Sequence, residues 1–275
     1  MDKIVLATDG SQHAEAAVDA TIGLARGSRA EVRVVNVWNL DIRQRHCAWD
    51  VDVRSEARQL LDATVARLTA AGVRAEGAIL RADSDHVAAG VVVTAKTFEA
   101  DLVVVGSRGL STWQSMLNQG ISHQLLSAVD CPLLIVRSRT ATARPPQRLL
   151  LAIACGDDLG QAARAVVAVA SAPDCLVLVV HAGQFCSETE DGTLATIAKV
   201  IKLLEKAGIS ARGVVTQPGP AADVIARVAD TWNVDLIVSG SSRMGDLASM
   251  VLGSVSHEQI RAAMQPSLTG GLALS

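Results

Sequence analysis

The chain contains one stretch of sequence twice, and this repetition limits the folds available to it more than any other feature. Residues 101–123 read DLVVVGSRGLSTWQSMLNQGISH, and residues 235–257 read DLIVSGSSRMGDLASMVLGSVSH. The aspartate, the glycine-serine pair and the serine-histidine pair of the first copy recur in the second at one constant offset. A repeat of this length indicates two structural units of the same kind in one chain.

Each copy opens on an apolar run that is followed by a glycine-containing loop. Leu102–Val105 is continuously apolar, which predicts a strand buried on both faces. Gly106 and Gly109 permit positive φ and close backbone approach, as a loop that wraps a phosphate requires. A helix that begins after Gly120 would present free amides to an anion. A plain βα loop could have the same glycine spacing. The repetition of this stretch in both halves of the chain favours an anion site.

Composition indicates an α/β protein with a small-residue core. A chain of 275 residues is long enough for two domains. Hydrophobic residues make up 49% and aromatic residues 2%, so the core is built mainly of Ala, Val, Leu and Ile. That mixture suits parallel strands covered by helices. A formal net charge of −3 gives no electrostatic case for binding nucleic acid or an anionic membrane surface.

The chain shows neither a signal-peptide layout nor an apolar run of membrane-spanning length, which predicts a cytoplasmic protein. Its five cysteines are scattered and form no CxxC pair, as expected of reduced thiols. A polar, irregular connection is predicted for Asn39–Arg54. Within it, a metal cluster and a solvated charge run are both open readings for His46, Cys47, Asp50 and Asp52.

Strands alternate with helices along the whole chain. The predicted strands of the first half are Lys3–Thr8, Val32–Trp38, Val73–Leu80, Leu102–Val105 and Pro132–Val136. Those of the second half are Leu149–Ala154, Leu176–His181, Ile209–Thr216 and Leu236–Ser239. This order predicts right-handed βαβ units, and therefore two tandem open parallel five-stranded sheets flanked by helices.

The predicted domains are residues 1–138 and 148–275, joined by a linker at residues 139–147 that Pro145 and Pro146 stiffen. Each domain is expected to keep its own sheet and to pack on the other about a pseudo-twofold axis. One sheet running across the linker would contradict this expectation. The last strand of the second domain is degenerate, because Gly270 and Gly271 disfavour a strand. Residues 265–275 are predicted to be irregular, poorly ordered or borrowed as a weak edge strand.

With these residues in place, the chain resembles a tandem universal stress protein. The family signature is G-x2-G-x9-G-[ST], with an aspartate at the end of the first strand, and the resemblance covers both halves. It implies a Rossmann-like fold of the adenine-nucleotide alpha hydrolase type, with ATP bound at the carboxyl ends of the strands, where open α/β sheets hold their ligands. It also implies a regulatory role in the stress response.

The resemblance assigns site residues by position. Asp9 and Val37 match the residues that contact the base or ribose. The phosphate-binding positions of the first half are Gly106, Gly109, Gly120 and Ser122. Those of the second half are Gly240, Gly253, Ser254 and Ser256. ATP, with Mg²⁺ as an optional companion ion, is the implied cofactor.

Each half departs from the signature. The first half has Gln119 and Gly120 where the family has Gly-Ser. In the second half, Arg243 replaces the second glycine, and Cys155 stands at the end of the first strand in place of aspartate. A cysteine cannot accept the hydrogen bonds that a carboxylate accepts. The first half is therefore predicted to be the main binding site.

Two other functions remain open: an interaction protein of the same fold that has lost nucleotide binding, and a slow ATPase. No general base or metal-binding carboxylate pair is evident beyond Asp9, so no catalytic or metal residue is predicted and the chain is expected not to be an enzyme. P-loop and dinucleotide-binding fingerprints are absent. Besides adenine nucleotide, the expected partners are an unidentified protein and a second copy of the chain.

Overall fold

The computed structural model describes residues 1–39, 47–82, 87–106, 124–125, 128–136, 143–154, 157–181, 190–216, 219, 221–239 and 250–253. The predicted irregularity of residues 265–275 lies outside these ranges.

The first half alternates strands and helices as predicted. Its elements are β1 (Lys3–Ala7), α1 (Gln12–Ser28), β2 (Glu31–Asn39), α2 (Cys47–Ala70), β3 (Arg74–Ala82), α3 (Val87–Phe98), β4 (Leu102–Gly106) and β5 (Leu133–Val136). The prediction of an irregular connection as far as Arg54 is wrong, because α2 already begins at Cys47. No glycine or proline interrupts the sequence from Cys47 to Ala70, so its polar residues are compatible with a continuous helix.

The second half repeats the pattern. Its elements are β6 (Arg148–Ile153), α4 (Leu159–Val169), β7 (Leu176–His181), α5 (Glu190–Lys206), β8 (Ser210–Val214), α6 (Ala221–Trp232), β9 (Leu236–Ser239) and β10 (Met250–Gly253). Strands β1–β5 are parallel to one another, and so are β6–β9. The predicted α/β class with parallel sheets flanked by helices is therefore confirmed.

The two sheets are not separate. The strand order β3-β2-β1-β4-β5-β10-β9-β6-β7-β8 forms one sheet of ten strands. Strand β10 lies between the halves, parallel to β5 and antiparallel to β9. The expectation of two independent sheets is thus wrong, because β10 uses the open edges of both β5 and β9. The domain boundaries at residues 138 and 148 stay a prediction.

Helices cover both faces of the sheet, and the two halves share the core on each face. One buried cluster joins the sheet to α1, α2, α4 and α5, and it includes Leu6 from the first half and Leu151 from the second. The opposite cluster joins the sheet to α3 and α6, and it includes Val5 and Leu150. Side chains of both halves therefore stabilise the same two apolar layers.

Helix α1 also touches the second half through its glycines. A Cβ atom placed on Gly23 would lie 2.5 Å from the carbonyl oxygen of Arg144, in the predicted linker. A Cβ atom on Gly27 would lie 2.6 Å from the carbonyl oxygen of Ser171, just beyond α4. The absence of side chains at these positions lets the backbone of the second half lie directly on α1.

Over the described parts of the chain, no helix combines the length and apolar character needed to cross a bilayer.

Candidate functional site

Three predicted site residues of the first half lie at the carboxyl ends of adjacent strands. Continuing the registers of β1 with β2 and β4 places Asp9 beside Val37, and Thr8 beside Gly106. Neighbouring strands are about 4.8 Å apart. The structure therefore brings Asp9, Val37 and Gly106 together at one edge of the sheet, as the sequence predicts.

The turn after β1 holds the Asp9 carboxylate at this edge. The amide of Ser11 donates a hydrogen bond to Asp9 Oδ1 at 3.0 Å, and the Ser11 hydroxyl caps α1 by accepting from the amide of Ala14 at 3.3 Å. Gly10 makes the turn with a φ of 73°. Asp9 is exposed to solvent, and the hydrogen bond from Ser11 fixes the orientation of its carboxylate.

A buried polar pair braces the same edge. The side-chain amide of Asn36 donates to the carbonyl oxygen of Thr8 at 2.9 Å, and the amide of Thr8 donates to the carbonyl oxygen of Val35 at 2.9 Å. Both polar side chains are more than nine-tenths buried. Sequence reasoning missed this brace, although an asparagine between Val35 and Val37 in an apolar strand was a signal for it.

Val37 supplies an apolar surface next to Asp9. It is half-buried and packs against the cluster below α3. Its Cγ2 atom lies 3.8 Å from the position of a Cβ atom built on Gly90 of α3. The side chain is therefore held on the α3 side of the sheet.

Several predicted residues cannot be assigned a position. Gly109, Gly120, Ser122, Gly240, Ser254 and Ser256 lie outside the described residues. Their contacts with a phosphate remain predictions.

The carboxyl edge of β6 differs from that of β1. Leu149 pairs with Leu236 as Ile4 pairs with Leu102, so the residue equivalent to Asp9 is Ala154. The sequence comparison placed this position at Cys155, one residue too late. In either register, the second half has no carboxylate at the position of Asp9.

A different carboxylate approaches this position from the following loop. Asp157 Oδ2 accepts a hydrogen bond from the amide of Ala154 at 2.7 Å. Its Oδ1 atom is shielded from solvent and accepts no hydrogen bond from the described residues. The neighbouring Asp158 has another role, since its Oδ1 caps α4 by accepting from the amides of Gly160 and Gln161 at 2.9 and 3.0 Å. Sequence reasoning missed Asp157, although the Asp-Asp pair after the strand was visible.

Gly253 does not lie at the carboxyl edge of the second half. It pairs with Leu236, the first residue of β9, whereas the last residue, Ser239, pairs with Met250. This is the other end of β9 from the predicted phosphate-binding edge of the second half, and a phosphate contact of Gly253 in that half stays a prediction. The antiparallel pairing of β10 with β9 is the cause of this placement, because it reverses the direction of the chain.

No group of three or more His, Cys, Asp or Glu side chains that could hold a metal ion occurs within the described ranges. Of the four residues with an open metal reading, Cys47, Asp50 and Asp52 lie in α2, and His46 falls outside the described ranges.

Comparisons with known proteins agree with the fold. The model of the universal stress protein family matches residues 1–137 and 146–269. Universal stress protein Rv2005c of Mycobacterium tuberculosis is 26% identical over 284 residues, covering 96% of this chain and 95% of that protein. A universal stress protein structure from Archaeoglobus fulgidus has a TM-score of 0.71 at 16% identity, covering 93% of this chain and 97% of the other.

A universal stress protein family structure from Arabidopsis thaliana has AMP bound. It is 19% identical, with a TM-score of 0.39, and covers 50% of this chain and 92% of its own. The match of the family model to both halves of the sequence shows that this chain belongs to the universal stress protein family, with two such units in tandem.

Proposed function

We propose that the protein is a stress-response regulator that binds an adenine nucleotide, ATP above all, at the carboxyl edge of its first half. One observation carries this proposal: Asp9, Val37 and Gly106 lie at the carboxyl ends of three adjacent strands. Carboxyl ends of parallel strands are the usual ligand-binding edge of an open α/β sheet.

The three residues offer different chemistry in the order that a nucleotide needs. Val37, at the end of β2, offers an apolar surface for the base. The Asp9 carboxylate, at the end of β1, can accept hydrogen bonds from ribose hydroxyls. Gly106, at the end of β4, leaves its backbone open to the close approach of a phosphate. Mg²⁺ would accompany the phosphates.

The first half is the better candidate because the second half has Ala154 at the position of Asp9. A hydrogen bond to a charged acceptor contributes about 1.5–3 kcal/mol. Its loss lowers affinity by about one to two decades. Asp157 does not reproduce the site, because one of its oxygens bonds to the amide of Ala154 and the other is shielded from solvent.

Isothermal titration of ATP into the wild type, Asp9→Ala and Asp157→Ala tests this proposal. Each variant removes the carboxylate from the loop after the first strand of its own half, so the two are matched. We expect Asp9→Ala to weaken binding about 10- to 100-fold, and Asp157→Ala to leave it unchanged. Circular dichroism checks that both variants are folded.

The opposite pattern, with loss in Asp157→Ala alone, would assign the nucleotide to the second half. If the wild type binds no nucleotide, the alternative is an interaction protein of this fold. The second half favours this alternative, because it has Ala154 in place of the carboxylate of Asp9. We propose binding without turnover; steady release of phosphate from ATP would instead identify a slow ATPase.

A further inference from the structure

Strand β10 belongs to the second half of the sequence, but it runs beside the first half. Met250 pairs with Leu133 and Leu252 pairs with Ile135 of β5, in parallel register. The next residue, Gly253, therefore comes level with Val136, the last residue of β5. The chain of the second half thus reaches the carboxyl edge of the first.

This edge is the one that holds the proposed nucleotide site. Val136 pairs with Gly106 of β4, so Gly106, Val136 and Gly253 form one row across β4, β5 and β10. Two strand spacings separate Gly106 from Gly253, a distance of about 10 Å. Gly253 is therefore within reach of a phosphate chain that begins at Gly106.

The order of the strands defines the direction in which a bound nucleotide would extend along this edge of the sheet. Along the sheet, β2, β1, β4, β5 and β10 follow one another. With the base at Val37 on β2, the ribose at Asp9 on β1 and the first phosphate at Gly106 on β4, later phosphates extend toward β5 and β10. Gly253 lies at the end of that path, and as a glycine it allows close approach of its backbone to a ligand.

We propose that Gly253 of the second half lines the outer end of the first-half site and accommodates the terminal phosphates of a nucleoside triphosphate. The proposal rests on the proposed function. It makes the second half part of the first-half site, although Gly253 occupies a phosphate-loop position of the second half in the family signature. It also predicts that a substitution of Gly253 lowers the affinity for a nucleoside triphosphate but not the affinity for a monophosphate.

Titrations of ATP and AMP into the full chain test this inference with the variant Gly253→Val. Valine is favoured in strands, so β10 can form while its side chain occupies the outer end of the site. We expect about a tenfold loss of ATP affinity, with AMP affinity unchanged. Leu252→Val, which puts the same side chain one position earlier in β10, is the matched control and should leave both affinities unchanged. If Gly253→Val does not fold, Gly253→Ala is measured in its place.

The failures of the two proposals are distinguishable. If Asp9→Ala weakens both nucleotides and Gly253→Val changes neither, the inference is wrong and the proposed function stands. Equal losses for ATP and AMP in Gly253→Val would also overturn it, because the effect would not be confined to the terminal phosphates. Loss of one of two ATP sites in Gly253→Val, with the other unchanged, would assign Gly253 to a separate site. No binding of either nucleotide to the wild type would refute the proposed function itself.

Discussion

The carboxylate of Asp235 accepts a hydrogen bond from the backbone amide of Arg148 at 2.9 Å. The same oxygen accepts from the amide of Gln147 at 2.8 Å, so the residue before β9 holds the start of β6. Asp101 does the same in the first half, where its Oδ2 accepts from the amide of Lys3 at 3.0 Å. The aspartate that opens each copy of the sequence repeat is therefore structural, and it joins two central strands of its own half at their amino ends.

Replacing Asp235 should lower stability through these two bonds. We expect Asp235→Ala to lower the free energy of unfolding by about 1 kcal/mol, which is below the range of about 1.5–3 kcal/mol for charged hydrogen bonds because the residue is exposed. Asp235→Asn keeps an acceptor oxygen and should lose less. Urea denaturation measures both, with Asp174→Ala, an exposed aspartate before β7, as control. An Asp235→Ala variant as stable as this control would contradict the structural role.

Gly27 should not tolerate a methyl group, although alanine is the better helix former. Its added Cβ would lie 2.6 Å from the carbonyl oxygen of Ser171, and this backbone atom cannot move at low cost. We expect Gly27→Ala to lower the unfolding free energy by about 1–3 kcal/mol, despite a helix-propensity gain of about 1 kcal/mol. Thermal denaturation measures the change.

Gly90→Ala in α3 is the matched control for this contact. Its Cβ would meet the flexible end of Leu80 at 3.3 Å, so we expect no loss of stability there. Equal stability changes in the two variants would show that α1 does not lie directly on the second half.

Cys131 and Cys175 should be unreactive in the folded protein. The pKa of each thiol is raised from 9.0 to about 11, mainly by burial, with smaller contributions from Asp101 and Asp130 for Cys131 and from Asp235 for Cys175. At pH 8 the folded protein then holds about a hundredth of the thiolate of the unfolded chain. Alkylation by iodoacetamide, followed by mass spectrometry of the two peptides with and without urea, measures this protection.

The same pKa shifts give stability a direction with pH. Both thiols keep their protons longer in the folded state, so the unfolded chain releases protons first as the pH rises above about 9. The contribution of the two thiols to stability is therefore complete below pH 9 and is lost as the pH rises toward 11. Fast alkylation of either cysteine in the native protein at pH 8 would contradict the shifts.

The shared core predicts that a destabilising substitution in one half also lowers the stability of the other half. Leu134 of β5 is 1% exposed and belongs to the cluster that also contains Leu151 and Val166. We expect Leu134→Ala to lower the unfolding free energy by about 2–5 kcal/mol. Hydrogen exchange should accelerate by similar factors in peptides covering β1 and β7. Faster exchange confined to the first half would show that the halves unfold independently.

The sequence alone was sufficient for the order of elements and for half of the candidate site. Apolar runs such as Leu102–Val105 are local signals, and the strands lie where those signals predict. The turn at Asp9 and Gly10 is equally local, because a carboxylate, a positive φ and a capping serine follow one another directly in the chain. The common edge of Asp9, Val37 and Gly106 then follows from the parallel order of the strands.

Tertiary structure decided what depends on pairing between distant segments. Strand register is set by neighbours that are far away in sequence. This register makes Met250–Gly253 join the two sheets, and it makes Ala154 the equivalent of Asp9. The sequence did not predict the start of α2 at Cys47 for a different reason: the polar residues there have the composition of a loop. A strand edge pairs with whichever segment satisfies its backbone hydrogen bonds, and no local pattern identifies that segment in advance.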